Sequence, residues 1–236
     1  MVGQKSQWVW SQWARSLFFF SLLAVFVFPA GAQVVARRTR RESNANRKAR
    51  IARAIQETYS KRYEVAGGGV YLRFRSGEYL QKNNEVTFFA SGTYFLNPKL
   101  GVTADVHGAY GVAKVGNTIY NIPNPQISEY FFTGGVTYRF YSKQKEAVSG
   151  FVTGGVADGN FSGGSKGIPS VDVGIWQDAW RPAFTAGVNL DYNFFPNLAF
   201  RVTPTYMGTT FTSPAGGSVQ NNLGVNAGVV YRFGKQ

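Results

Sequence analysis

The chain contains no cysteine, which leaves no disulfide framework and no thiolate metal site. Its single histidine removes nearly every zinc, haem or His-rich iron centre, so no metal and no cofactor is expected. Charged residues make up only 16% of the chain. Beyond the first thirty or so residues no stretch is apolar enough to cross a bilayer as a helix, which excludes a polytopic helical membrane protein. What the sequence has instead is 28 glycines, 20 phenylalanines and 13 tyrosines, a profile poor in helix formers and rich in aromatic strand formers.

The acids are also scarce, 12 against 25 Lys and Arg, giving a net charge of +13. Such an excess ordinarily points to nucleic acid or an anionic surface, but its distribution argues for neither across the whole chain. Residues 1–32 carry Lys5 and Arg15 and no acid, residues 33–63 carry ten basic and two acidic groups, and residues 64–236 carry thirteen basic and ten acidic groups. The basicity belongs to one short segment.

Before that segment, a mildly basic start is followed by an apolar run of about twelve residues, Leu17 to Phe28, then Pro29-Ala30-Gly31-Ala32. The run fits the apolar stretch of a signal peptide and falls short of the roughly 20 residues of a spanning helix. Ala30-Gly31-Ala32 is a small-x-small cleavage site, which sets the mature start at Gln33; the alternative is an uncleaved anchor. Residues 37–63 read RRTRRESNANRKARIARAIQETYSKRY. Ser43 is placed to cap a helix on which Ile51, Ile55 and Tyr59 recur at spacing four. Such a segment suits contact with anionic lipid or the cell wall, or else stays a solvated, partly disordered tether. Export puts it outside the cytoplasm, so nucleic acid is not an expected partner.

From Glu64 onward the period becomes two. Eight runs are expected near 65–75, 85–96, 101–113, 127–142, 150–161, 181–195, 198–211 and 222–233. In the sixth, Phe184, Ala186, Val188, Leu190, Tyr192 and Phe194 share one face, and Thr185, Gly187, Asn189, Asp191 and Asn193 the other. The fourth and eighth repeat the pattern. The polar face is small, as a narrow lumen requires, and the export signal assigns the apolar face to lipid. Lipid cannot satisfy backbone groups, so the sheet must close. The connections alternate between long (76–84, 114–126, 162–180, 212–221) and short (97–100, 143–149, 196–197). Tyr94, Phe95, Tyr138, Phe140, Tyr141, Phe194, Phe195, Tyr231 and Phe233 gather at the short-turn side, where an interfacial girdle belongs. Pro204 interrupts the seventh run, where a bulge or kink is expected.

With its last strand ending Gly228-Val229-Val230-Tyr231-Arg232-Phe233, the chain resembles the small outer-membrane β-barrels of the OmpA/OmpX/opacity-protein type over residues 64–236. The resemblance implies an all-β, closed up-and-down transmembrane barrel with both termini periplasmic. It also implies that Tyr231 and Phe233 form an assembly signal read by the barrel assembly machinery, although Gly234-Lys235-Gln236 follows it. The expected organisation is a signal peptide (1–32), a basic periplasmic segment (33–63) and a barrel (64–236), working as a monomer in outer-membrane lipid.

Eight strands leave an interior that side chains can fill. Arg73, Arg75, Asp105, His107, Glu129, Arg139, Asp191, Arg201 and Arg232 are expected to form a polar network there, with Asp191 near Arg201, Arg232 beside Arg201 and Arg75 near Glu85. Register across the Asn97-Pro98 turn also sets Ser91 against Asp105 and His107, a trio that hints at acyl-transfer chemistry. A hydrogen-bonded lumen is the simpler expectation, and no catalytic residue is assigned. Trp176 and Trp180 in the long third loop either anchor the rim or contact other surfaces. The sequence thus supports a structural or surface-interaction barrel with a filled lumen. An adhesin or receptor acting through its loops stands second, and a lipid-modifying enzyme third.

Overall fold

A computed structural model describes residues 43–116, 120–213, 216–217 and 219–235. The expected signal peptide and the first ten residues of the basic segment lie outside the described residues. The first described element is a helix, α1 (Asn44–Tyr59), whose cap is Ser43: its side chain accepts from Asn46 N at 3.3 Å. Thr58 and Tyr59 are buried, and Ile51, Ala54 and Ile55 half-buried along the same side. Arg47, Lys48 and Arg53 are exposed.

After Ser60 the chain passes directly into strand β1 (Lys61–Arg75), followed by β2 (Lys82–Phe95), β3 (Leu100–Val112), β4 (Gln126–Ser142), β5 (Glu146–Asn160), β6 (Ala179–Phe195) and β7 (Leu198–Thr209). A two-residue ribbon, β8 (Thr212–Ser213) and β9 (Gly216–Gly217), stands in the last long loop before β10 (Gln220–Lys235). The order β1-β10-β7-β6-β5-β4-β3-β2 closes into an antiparallel barrel of eight strands, with the ribbon apart from it. The short connections 96–99, 143–145 and 196–197 all lie at the end that holds both termini of the barrel, and the long ones at the other.

β1 begins four residues earlier than its expected start, because β10 runs on to Lys235 and a ladder reaches as far as both partners do: Lys61 pairs with Lys235. Pro204 produces no bulge. It points outward and pairs with Val225, and the β6–β7 register is the same on both sides of it, from Gly187↔Thr205 to Leu190↔Val202. The ladder simply skips the residues between. The register shifts come instead near the short turns, between Arg139 and Tyr141 and between Asn193 and Phe195.

The alternation follows from the sequence. β10 buries every second residue from Gln220 to Arg232, while Leu223, Val225, Val229, Tyr231 and Phe233 stand exposed on the outside. At the short-turn end Tyr63, Tyr94, Tyr138, Phe140, Tyr192, Phe194, Tyr231 and Phe233 form an exposed aromatic belt, with the Tyr63 ring 5.4 Å from both Tyr94 and Phe233. Phe95 does not join it: with Tyr94 outward, strand phase turns Phe95 into the lumen, where it is 2% exposed. Across the seam between β1 and β10 the backbones nearly touch, since a Cβ on Gly68 would lie 2.1 Å from Ala227 O. Only glycine permits that approach.

Candidate functional site

The interior of the barrel is built in three levels. At the short-turn end, Glu64 of β1 sits among three guanidinium groups. Its Oε1 accepts from Arg201 Nη2 at 2.6 Å, and its Oε2 from Arg232 Nε at 2.8 Å and Arg139 Nη2 at 3.4 Å. Asp191 completes the cluster, taking Arg201 Nε at 2.6 Å and Arg232 Nη2 at 2.5 Å. All five residues are no more than 5% exposed. Three positive charges and two negative ones are thereby removed from water together, which is tolerable only because each carboxylate oxygen is bonded.

Tyr59, the last residue of α1, closes over this cluster. Its hydroxyl donates to Lys143 O at 2.8 Å and accepts from Asn193 Nδ2 at 2.8 Å, while Asn193 Oδ1 takes Arg232 Nη1 at 2.7 Å. Arg139 lies 4.7 Å from the Tyr59 ring centroid and 4.2 Å from that of Phe95, and donates to Pro98 O at 2.9 Å. Burial pushes the Tyr59 phenol above its ordinary pKa of 10.0, against the opposing effect of the Asn193 hydrogen bond and the nearby arginines.

The middle level is a belt of threonine and asparagine. Thr93, Thr103 and Thr137 are joined at 2.8 and 2.6 Å, Thr153 bonds Thr133 at 3.1 Å and also Thr185, and Thr203 donates to Asn189 at 2.8 Å. A cavity of about 20 Å³ lies here between Phe89, Ser91, Asp105, Phe151 and Asn226, enough for about one water molecule. The expected Ser91–Asp105–His107 grouping meets at this level in part. Ser91 pairs with Asp105 in register, and His107 Nδ1 lies 3.0 Å from Asp105 Oδ2 outside hydrogen-bond geometry. The far nitrogen of His107, however, faces Asn226 Nδ2 at 3.2 Å rather than the Ser91 hydroxyl. His107 is 2% and Asp105 6% exposed.

Toward the long loops the lumen changes character. Glu85 accepts from Asn83 Nδ2 at 2.8 Å, and Asn83 in turn from Ser76. Glu85 Oε2 and both oxygens of Glu129 are buried without a hydrogen-bond partner. Above them lies an apolar cluster that includes Leu72, Phe74, Phe131, Phe161, Trp176 and Phe211. The Phe161 and Phe211 rings meet edge-on at 5.0 Å. Trp176 is 1% exposed and donates from Nε1 to Arg75 O at 2.6 Å, so the third loop folds back into the mouth of the barrel. Asp178 secures its return by accepting from Phe161 N at 2.7 Å. Trp180 is 58% exposed and stacks on Phe132 outside, a rim position.

Seven of the nine residues expected inside are there: Asp105, His107, Glu129, Arg139, Asp191, Arg201 and Arg232. Arg73 and Arg75 are not. Both are exposed on the outer face, paired in register with Asn84 and Lys82, and Arg75 is not beside Glu85, which pairs with Leu72 instead. Gly67-Gly68-Gly69 carries no side chains from which phase can be read, and near the loops the pattern inverts, with Leu72 and Phe74 inside and the cations in solvent. Tyr59 was missed because it ends the helix, where it reads as part of the apolar stripe, and Glu64 because it precedes the first expected run at 65–75 although β1 already includes it. The spacing of two from Glu64 to the buried Ala66 was the available signal.

No family model matches the chain, and no curated protein matches it. Solved structures do. Neisserial surface protein A is 14% identical, with a TM-score of 0.50 over 72% of this chain and 97% of that one. The attachment invasion locus protein Ail of Yersinia pestis is 16% identical, with a TM-score of 0.48 over 74% of this chain and 99% of that one. The outer membrane protein OprG from Pseudomonas aeruginosa is 14% identical, with a TM-score of 0.45 over 75% and 98%. In fold, the chain is a small closed eight-stranded β-barrel of the kind seen in Neisserial surface protein A.

Proposed function

We propose that this chain is a bacterial outer-membrane barrel, with both termini in the periplasm, that serves the envelope through its wall and its surface rather than through transport or catalysis. One observation carries this reading: the wall is apolar outside, while the interior is filled at both ends. The Glu64–Arg cluster beneath Tyr59 and the Trp176 apolar cluster leave between them a cavity of about 20 Å³. No continuous water column passes such an interior. Strands exposing Val, Leu, Phe and Tyr along their full length need lipid, and the aromatic belt marks one interface. Short turns on the periplasmic side and long loops outside support the orientation.

The test is reconstitution of the mature protein in planar bilayers, alongside gels of outer-membrane extracts run with and without boiling. The expected result is a heat-modifiable band and no discrete conductance. Regular conductance steps from the wild-type protein would sink the closed-lumen reading. His107 and Asp105 are buried, which favours a structural role; an envelope lipid profile altered by His107→Ala would argue otherwise. A surface-contact role has one supporting observation, Tyr79 at the first loop tip, 86% exposed. If Tyr79→Ser leaves cell binding unchanged, that role loses its support.

A further inference from the structure

The charge of this barrel is distributed very unevenly between its two ends. At the short-turn end, among the described residues, the strand ends and turns carry Lys61, Arg62, Lys99, Lys143, Lys145 and Lys235, against Glu146 alone. Helix α1 adds four basic residues and one acid, Glu57. The total is ten basic side chains against two acidic ones, all outside the buried cluster. The loop end is near balance, with Arg73, Arg75, Lys82, Lys114, Lys166 and Arg181 set against Glu78, Asp158, Asp172 and Asp178.

The basic groups also sit at one level. They come from both ends of the barrel chain and two of the three short turns, so they spread from β10 through β1 to the β4–β5 turn rather than cluster at one point, and only the β6–β7 turn is bare. Several stand directly over the aromatic belt: Lys143 Nζ is 5.2 Å from the Tyr141 ring centroid, Lys145 Nζ 6.0 Å from Tyr192, and the Arg62 guanidinium 5.9 Å from Tyr94. Aromatic belts lie at the depth of lipid headgroups. A cation resting on such a ring therefore stands where phosphate groups are, with its aliphatic stem along apolar surface. Ser60 alone separates α1 from β1, so the exposed Arg47, Lys48 and Arg53 are tethered at the same membrane face.

From this placement we infer that the short-turn end is a cationic collar that gathers anionic phospholipid headgroups of the leaflet around it. The inference rests on the membrane-barrel reading above. The collar is built for charge rather than for one shape: lysines on separate turns cannot converge on a single small ligand, but a ring of separate headgroups matches them. Basic residues near an anionic surface each contribute about 1 kcal/mol, roughly fivefold in association, and the effect fades over a Debye length of about 10 Å at 0.1 M salt.

The experiment uses the full mature protein, folded into phosphatidylcholine vesicles containing a minority of phosphatidylglycerol. Spin-labelled phosphatidylglycerol and phosphatidylcholine report which lipid occupies the protein surface. At low salt the labelled phosphatidylglycerol is expected to associate roughly threefold or more over phosphatidylcholine, and the ratio to fall toward one in 1 M NaCl. The combined variant Arg47→Gln, Lys48→Gln, Arg53→Gln, Lys99→Gln, Lys143→Gln, Lys145→Gln should bring the ratio near one at low salt. The control Lys114→Gln, Lys166→Gln, at the loop end, should leave it unchanged. The salt titration of the wild type stands on its own if the six-fold variant fails to fold.

A ratio of one in the wild type, with the band still heat-modifiable, overturns the collar and leaves the barrel reading intact. The same ratio together with co-sedimentation on purified peptidoglycan, lost in the variant, assigns these cations to the cell wall instead. A chain that remains soluble without lipid, with one gel mobility, overturns both readings.

Discussion

Replacing Glu64 with Gln changes one atom and should be among the most damaging isosteric substitutions in this protein. The carboxylate receives three guanidinium groups, at 2.6, 2.8 and 3.4 Å, in a site 3% exposed. Without its charge, Asp191 alone faces Arg139, Arg201 and Arg232. Truncating one partner of a buried ion pair costs about 3–5 kcal/mol, because the remaining charges stay desolvated. Gln retains one acceptor oxygen, so the low end applies, about 3 kcal/mol. The assay is urea unfolding of the protein in bilayers, followed by the fraction of heat-modifiable band. The double variant Glu64→Gln, Arg139→Gln supplies an internal check. It restores the charge balance of the cluster, so part of the loss should return, although Arg139 also stacks on Phe95 and Tyr59. A single-variant cost below about 1 kcal/mol, or strictly additive losses, would refute the view that the cluster is held together by charge.

Glu129→Gln and Glu85→Gln should act in the opposite direction, raising the urea midpoint at pH 8.5, because each removes a carboxylate whose oxygens are buried without a full set of partners; a lowered midpoint would contradict this. Tyr59→Phe should cost about 1 kcal/mol near pH 8 through the lost hydroxyl bonds. Because burial raises the phenol's pKa in the folded state, its contribution is present below pH 10.0 and lost as pH climbs past the raised value; the Phe variant should lack that alkaline loss in a pH series of unfolding midpoints. Trp176→Ala removes the largest side chain of the apolar cluster and should cost about 3–5 kcal/mol, with transient conductance in planar bilayers where the wild type is silent; full stability in the variant would show that the third loop does not hold the mouth closed.

The wall was legible in the sequence because closure demands alternation. A strand with an apolar outer face on one side and a narrow lumen on the other must alternate, and β4, β6 and β10 alternate cleanly enough to set phase by inspection. The turns were legible for a similar reason, since their lengths separate the two ends. Legibility failed where alternation carries no information. Arg73 and Arg75 were assigned inward on the rule that polar residues face the lumen, but that rule fails at the mouth. There the outer face accepts Arg, and Leu72 and Phe74 fill the interior. Trp176 is buried by a loop that returns into the barrel, and such a return depends on contacts with β1 and on Asp178, none of which periodicity encodes. Glu64 is a single acid at the end of a basic run, and its value comes from Arg139, Arg201 and Arg232, far along the chain.

That distance sets a clock. Glu64 and Arg232 are 168 residues apart and meet on the first and last strands of the barrel. Contacts of such separation form late, after the loops between them have closed. Until then Asp191 is the one carboxylate in contact with Arg201 and Arg232. The second carboxylate, Glu64, reaches Arg201 and Arg232 only when β1 zips against β10, so these buried guanidinium groups gain their full set of partners at the moment the circle is complete. An incompletely closed barrel is thus penalised from within, by guanidinium groups short of a carboxylate, as well as along its free edges.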